Sequence, residues 1–258
     1  MRGMIAIYQR EMRSYFTSPV AYVVATVFLV LVGVFLMSIL RQYMGFDASW
    51  RERLLSFGQE AFPASIHDYL FRPLLKALGT LSLLVLPFIT MASFAEEHRA
   101  GTMELLLTSP LHERDIVLGK FFAAASIYVF LLLAAFGVIS LLFLVGDPHL
   151  PSLLVGFLGL FLQGLSFIVI GLFISSLTHN QMVAGLGGLG AALLLSLAGL
   201  LGDPDSLMGQ WLNDLSLVTH FDDFSKGILD SKHLIYYGSM IFFGLFLTMR
   251  SVESLKYR

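Results

Sequence analysis

No cysteine occurs anywhere in the 258 residues of this chain. That absence excludes a disulfide framework, a thiolate metal site and a cysteine nucleophile, and it leaves the redox compartment undecided. Charge is scarce as well. Asp, Glu, Lys and Arg make up 13% of the residues, against about 25% in a soluble globular domain. A formal net charge of −2 gives no basic stripe, which excludes the electrostatic footprint of a nucleic-acid binder. No GxxxxGK[ST] run is present, so the chain does not itself bind ATP through a P-loop, and no HExxH run is present either. Histidines at 67, 98, 112, 149, 179, 220 and 233 are scattered among loops, with no pair at metal-ligand spacing on one span. His220 and Asp223 share a helical spacing, and each reads as solvated surface.

Apolar residues fill the space that charge leaves. They make up 57% of the chain, and the mean hydropathy is +0.79. A membrane span needs about 20 predominantly apolar residues, and six runs qualify: 20–40, 74–94, 121–145, 153–177, 182–201 and 234–250. Backbone groups in lipid must pair within their own segment, so these are helices. The expected fold is an all-α polytopic membrane protein, one transmembrane domain over 1–258, with six transmembrane helices and an amphipathic interfacial helix at 3–17. Arg2, Arg10 and Arg13 precede the first run, which is too long for a signal peptide and has no small-x-small cleavage site, so it reads as an uncleaved anchor.

Orientation follows from the basic residues. With six spans both termini share a side. If that side is the cytoplasm it holds nine Lys and Arg residues against seven outside, in shorter segments, which favours cytoplasmic termini. No span carries an ionisable group near its centre, because Lys76 and Lys120 fall at ends, where they would snorkel. Ion-coupled carriers and proton relays depend on such groups, and intramembrane hydrolases depend on paired acids or histidines. The driving force is therefore expected in another chain.

Between the spans, residues 3–17 place Ile5, Tyr8, Met12 and Tyr15 at helical spacing, with Arg10 and Arg13 largely opposite. That pattern suits a helix lying in the membrane interface. Ser18-Pro19 ends it. Asp47 would cap a short separate helix reaching Phe57. Residues 202–233 place Trp211, Phe221, Phe224 and Ile228 on two short outer helices, which either dip into the outer leaflet or lie over the bundle mouth. The run Gly-Leu-Gly-Gly-Leu-Gly at 185–190 matches GxGxxG formally, but it sits inside an apolar run. Gly185, Gly187 and Gly188 are read as helix-packing residues in small-xxx-small pairs.

The stretch SFAEEHRAGTMELLLTSPLHERDIVLGK, residues 93–120, concentrates charge between two apolar runs. Gly101-Thr102 would open a helix with Glu104 in its first turn. Met103, Leu105, Leu106 and Leu107 would form a compact exposed ridge, and Ser109-Pro110 would close it. A short helix with a greasy ridge flanked by charge suits another protein's groove.

The longer run PFITMASFAEEHRAGTMELLLTSPLHERDIVLGKFFAA, residues 87–124, resembles the signature of type-2 ABC exporter permeases, closest to the gliding-motility-associated branch. The residues that carry it are Phe94-Ala95-Glu96-Glu97, Gly101-Thr102, Glu104-Leu105-Leu106, Pro110 and Gly119-Lys120. The runs REMRSYFTSPVAYV (10–23) and HFDDFSKGILD (220–230) resemble the same branch. His98 and Ala100 depart from it, standing where more basic or polar residues are expected.

The resemblance implies that 103–109 is a coupling helix seated in a cytoplasmic P-loop ATPase, present in two copies, with Glu96, Glu97 and Arg99 at the joint. It further implies a second permease chain, the same or related, and room for an auxiliary membrane subunit. ATP and magnesium would belong to the ATPase, leaving no cofactor, metal or catalytic residue in this chain. The location implied is the bacterial inner membrane. Two rival readings stay open at this point: a membrane hydrolase or transferase using Glu96, Glu97 and His98, and a channel or scaffold without an ATPase.

Overall fold

The computed structural model describes residues 2–57, 70–103, 111–140, 150–200 and 206–255. Among these every regular element is helical: α1 (Arg2–Thr17), α2 (Pro19–Phe57), α3 (Arg72–Thr90), α4 (Ala92–Arg99), α5 (Glu113–Ser140), α6 (Leu150–Leu177), α7 (Gln181–Leu197), α8 (Leu207–Leu215), α9 (Leu217–Ser225) and α10 (Ser231–Leu255). Six helical stretches are long and apolar enough to cross a membrane: Ala21–Arg41, Arg72–Arg99, Glu113–Ser140, Leu150–Leu177, Gln181–Leu200 and Ser231–Leu255. The chain is a multi-pass all-α membrane protein.

Two ends of the bundle can be told apart by their contacts. The near end gathers α1, α4, the starts of α5 and α7 and the close of α10, joined by bonds such as Lys120 to Glu11 and Ser176 to Ser251. The far end gathers the starts of α3 and α10 with α8 and α9, joined by Arg72 to Asp222 and Tyr236 to the Leu215 carbonyl.

Most span boundaries extend past the apolar runs, because a helix continues as long as its backbone bonds do, whatever its side chains. α5 starts at Glu113 rather than at 121, and α10 occupies 231–255 rather than 234–250. Ser18 breaks α1 from α2, with Pro19 at the first position of the new helix, where its missing N–H costs nothing. The separate helix expected from Asp47 does not exist: α2 runs without interruption from Pro19 to Phe57. Asp is a cap former by preference only, and helix propagation through 41–47 overrides it.

α6 is the hub, packed against α3, α4, α5, α7, α9 and α10. Leu160, Phe167, Ile168 and Leu172 on it are fully buried. Close approach is bought by small residues. A Cβ placed on Gly188 of α7 would lie 3.4 Å from the Cα of Gly171 on α6, so these two helices cross nearly backbone to backbone. Ala184, one small-residue step earlier, is also buried, and Gly185 meets Met91. Gly187 faces outward, near Ile174. Without a hydrophobic drive between helices in lipid, such contacts hold the bundle by dispersion.

Gly159 on α6 is a clean test of this packing, since an added Cβ would lie 2.4 Å from the Cβ of Phe224 on α9. That atom cannot rotate away. Gly159→Ala is expected to cost about 1–3 kcal/mol of stability through overpacking. Gly137→Ala, where nothing lies within 4 Å, is expected to be neutral. Thermal unfolding of the two variants in detergent checks the contrast.

Candidate functional site

At the near end the charges of 93–120 close on themselves. Lys120 on α5 is 1% exposed. Its Nζ donates to Glu11 of α1 at 2.9 Å and to the Ser93 carbonyl at 2.5 Å, and it lies 3.1 Å from the Glu97 carboxylate of α4. The ammonium also sits 5.0 Å from the centre of the Phe94 ring. Arg10 pairs with Glu11 and Glu97 from the solvent side. Two carboxylates and two cations thus balance, as removal from water requires. Burial opposes ionisation of Glu11, but Lys120 and Arg10 outweigh it and hold its carboxyl below the usual carboxylate range. The expectation that Lys120 snorkels is corrected: its helix faces α1, and the chain is folded over it.

Gly119 explains how the neighbouring lysine is reached. A Cβ there would lie 2.8 Å from Ile7 and 3.0 Å from the Met4 carbonyl, so the missing side chain lets α1 cross directly over α5. Ile7 is buried in that crossing, while Ile5 is half exposed. Tyr8 reaches Ser126 at 3.1 Å and Tyr15 donates to the Ile89 carbonyl at 3.3 Å. Met12 is half-buried and Arg13 exposed. α1 is docked on the bundle through Ile7 and Glu11, neither of which stood out in the sequence. Their signal was spacing: Ile7 and Glu11 are four apart and precede Tyr15 by the same step.

Ser175 of α6 braces the junction of α3 and α4 at Met91. Its Oγ accepts from the backbone N–H of Phe94 and of Ala95, each at 3.1 Å, and donates to the Met91 carbonyl at 3.0 Å. α4 then ends in a Schellman pattern. Thr102 N–H returns to the Glu97 carbonyl and Gly101 N–H to that of His98, with Gly101 at φ 68°, a conformation that favours glycine. Gly101-Thr102, expected to open a helix, therefore closes one first. Met103 is 4% exposed, so it does not form part of an exposed ridge. Glu104, Leu105, Leu106, Leu107 and Pro110 lie outside the described residues. Arg99 is exposed, and Glu96 is exposed on the rim of a cavity of about 280 Å³ shared with Ser14, Tyr15 and Gln181. His98 packs against His179, ring centres 4.8 Å apart. Among the described residues no group of three His, Cys, Asp or Glu is placed to hold a metal ion.

The far end carries a second polar joint. Asp222 of α9 is met by Arg72 at 3.1 Å, Lys76 at 2.5 Å and Lys226 at 2.8 Å. Burial opposes its charge, but the hydrogen bonds from Lys226, Lys76 and Arg72 hold the carboxyl far below the usual carboxylate range. Gly227, at φ 79°, closes α9 in the same Schellman pattern as Gly101. Phe221 and Phe224 are buried against α6 and α3, whereas Trp211 on α8 is 78% exposed and Ile228 is exposed. Of the two short helices, α9 is part of the core and α8 presents its apolar face outward.

His220, read as surface, is buried. Its Nε2 lies 2.9 Å from the Asp214 carbonyl, its Nδ1 lies 2.6 Å from Nδ1 of His233, and the Nε2 of His233 lies 2.9 Å from Asp223. A carbonyl only accepts, so His220 donates from Nε2 and accepts at Nδ1. That role requires the hydrogen between the two rings to come from Nδ1 of His233. A further proton on His220 would set two N–H groups against each other. Burial first, then the nearby His233 and Lys232, lower the His220 pKa against the pull of Asp214. Tyr236 stacks on the ring and Lys226 engages Asp223.

Because the folded pKa of His220 lies below its ordinary 6.5, the folded state holds fewer protons in that window. Stability is therefore full above pH 6.5 and falls as pH drops through the folded value. Thermal melts between pH about 7.5 and about 5 are expected to show this decline, and His220→Phe is expected to flatten it. At the near end, Lys120→Met leaves two buried carboxylates facing Arg10 alone and is expected to cost about 3 kcal/mol. Adding Glu11→Gln to it is expected to recover part of that loss in the same unfolding assay.

Comparison with known proteins bears on this arrangement. The model of a family described as ABC-2 family transporter protein matches residues 64–219, which include α3, α4, Gly119, Lys120 and all of α8. A probable multidrug ABC transporter permease, YbhR of Escherichia coli K12, is 30% identical over 169 residues, 62% of this chain and 44% of that protein. A second probable multidrug ABC transporter permease of the same strain, YbhS, is 32% identical over 149 residues, 56% of this chain and 38% of that protein. The chain therefore spans less than half the length of these relatives. With a family match over more than half of its residues and six apolar helices knotted at both ends, the chain belongs to the ABC-2 family of transporter proteins.

Proposed function

We propose that this chain is the membrane subunit of an ATP-driven exporter, with a separate P-loop ATPase supplying the energy. Residues 103–109 are the segment offered to the ATPase, and Glu96, Glu97 and Arg99 form the base on which it stands. One observation carries the reading: the chain enters that segment from a capped helix end at Gly101 and leaves it into α5, whose Lys120 is ionically fixed to α1 and α4. A push on the segment is then delivered to three helices together. ATP and magnesium belong to the partner, in two copies, and this chain contributes no cofactor or catalytic group.

In this reading the near end faces the cytoplasm of a bacterial inner membrane, with both described termini there. The excess of basic residues at that end supports it. A second permease chain, the same or related, completes the path, and an auxiliary membrane subunit has room to join. The patches 10–23, 87–124 and 220–230 favour the gliding-motility-associated branch.

The hydrolase reading loses one of its two acids: Glu97 is held by Arg10 and Lys120.

Coexpression with the cognate ATPase is expected to give a stable complex whose ATP hydrolysis is stimulated by the permease. Leu106→Glu is expected to release the ATPase while leaving the permease folded. Unchanged assembly and stimulation in that variant would remove the basis of the proposal.

A further inference from the structure

A cavity of about 290 Å³ lies between α3, α6, α7 and α9, near the lower end of small-molecule sites in size. Leu83, Leu84, Leu193, Leu197, Val218 and Phe221 make most of its wall. Leu84, Leu197 and Val218 are also exposed on the surface of the chain, so the cavity opens on the flank of the bundle. Gln163 and Ser196 belong to the wall, but their side-chain oxygens are sealed among neighbouring atoms and offer a ligand nothing. One charged residue stands in the wall, Lys76.

The joint to which Lys76 belongs does not balance. Asp222 is shared by Arg72, Lys76 and Lys226, three cations on one carboxylate. Lys226 has a second acid in Asp223, which His233 also approaches. Arg72 and Lys76 have no other acid among the described residues. Three cations thus face two carboxylates, whereas the cluster around Lys120 sets two against two. Lys76 is the least enclosed of the three, its side chain 46% exposed against 31% for Arg72 and 34% for Lys226. Its ammonium has three donors, and Asp222 takes one of them. Arg72 and Lys226 neutralise Asp222 without it, so its charge is left over at the cavity.

We infer that this cavity binds an anionic amphiphile, its carboxylate or phosphate head paired with the Lys76 ammonium at the mouth and its alkyl chain lying against the leucines, Val218 and Phe221. Charge selects the head. No acid lines the wall to repel an anion, and a cationic head would meet Lys76 itself. The apolar wall selects the chain. A free single-chain amphiphile and an anionic bilayer lipid both supply such a head, and the test separates them. The site stands independently of any ATPase partner, so a loss of ATPase coupling would leave it intact.

The test is photolabelling of the purified full chain in phosphatidylcholine nanodiscs with a diazirine derivative of decyl phosphate, mapped by mass spectrometry. Adducts are expected within 80–84, 193–197 and 218–221, suppressed by excess decyl phosphate or decanoate but not by decanol or decylamine. Exchanging part of the nanodisc lipid for phosphatidylglycerol distinguishes the source: suppression identifies a bilayer lipid as the occupant, unchanged labelling a free amphiphile, and either supports the anionic head. Lys76→Gln is expected to cut the labelling about tenfold, the value of one hydrogen bond between charged groups, and Lys76→Arg is expected to retain it. Because Arg72 and Lys226 stay on Asp222, the melting temperature of Lys76→Gln is expected to hold, which separates a lost contact from a lost fold. Equal suppression by decanol, undiminished labelling in Lys76→Gln, adducts confined to residues outside the cavity, or no adducts because water alone fills it would each overturn the inference.

Discussion

A buried ammonium must be neutralised where it stands, and this requirement organises the near end of the bundle. Lys120 is nearly inaccessible, so α1 and α4 must bring Glu11 and Glu97 to it, and Ser93 must offer its carbonyl. Gly119 is the steric condition for this, since any side chain there would hold α1 off α5. Removing one partner from such a cluster costs far more than the cluster adds over a greasy replacement. Its role is thus to fix position, holding three helices in one arrangement, rather than to add stability. The segment 103–110 departs from that fixed point.

The class of the protein was legible because lipid imposes a length and a polarity on every span. The six apolar runs, the break at Ser18 and the packing role of Ala184 and Gly188 all follow from local pattern. What could not be read depends on partners distant in sequence. Glu11 lies 109 residues from Lys120, and nothing in an end-of-span lysine says whether it will reach water or a carboxylate. The surface reading of His220 failed for the same reason, because His233 comes to it across a turn and not along a helix. Asp47 misled in the opposite way: a local preference was real but weak, and an uninterrupted α2 outweighed it. Gly101 was recognised as a helix boundary, but that it also closes the preceding helix is decided only by the left-handed φ and the returning N–H groups.

Between its polar ends the bundle is held by fit. Gly159, Gly164, Gly171 and Gly244 each stand where a neighbour would collide with a Cβ. This close packing makes α6 a rigid centre. It also makes the few polar atoms at depth conspicuous, for a helix that has given up its side chains to reach its neighbours has little left with which to satisfy a stray amide.

The stretch from Arg72 to Arg99 is held ionically at both extremities, by Asp222 beside Arg72 and by Lys120 beside Glu97. At about 1.5 Å per residue it is roughly 40 Å long. Mechanically it is a tie rod with two anchored eyes. Sliding it along its axis at one membrane face loads the ion pair at the other, so the two aqueous compartments feel each other through a single piece of backbone.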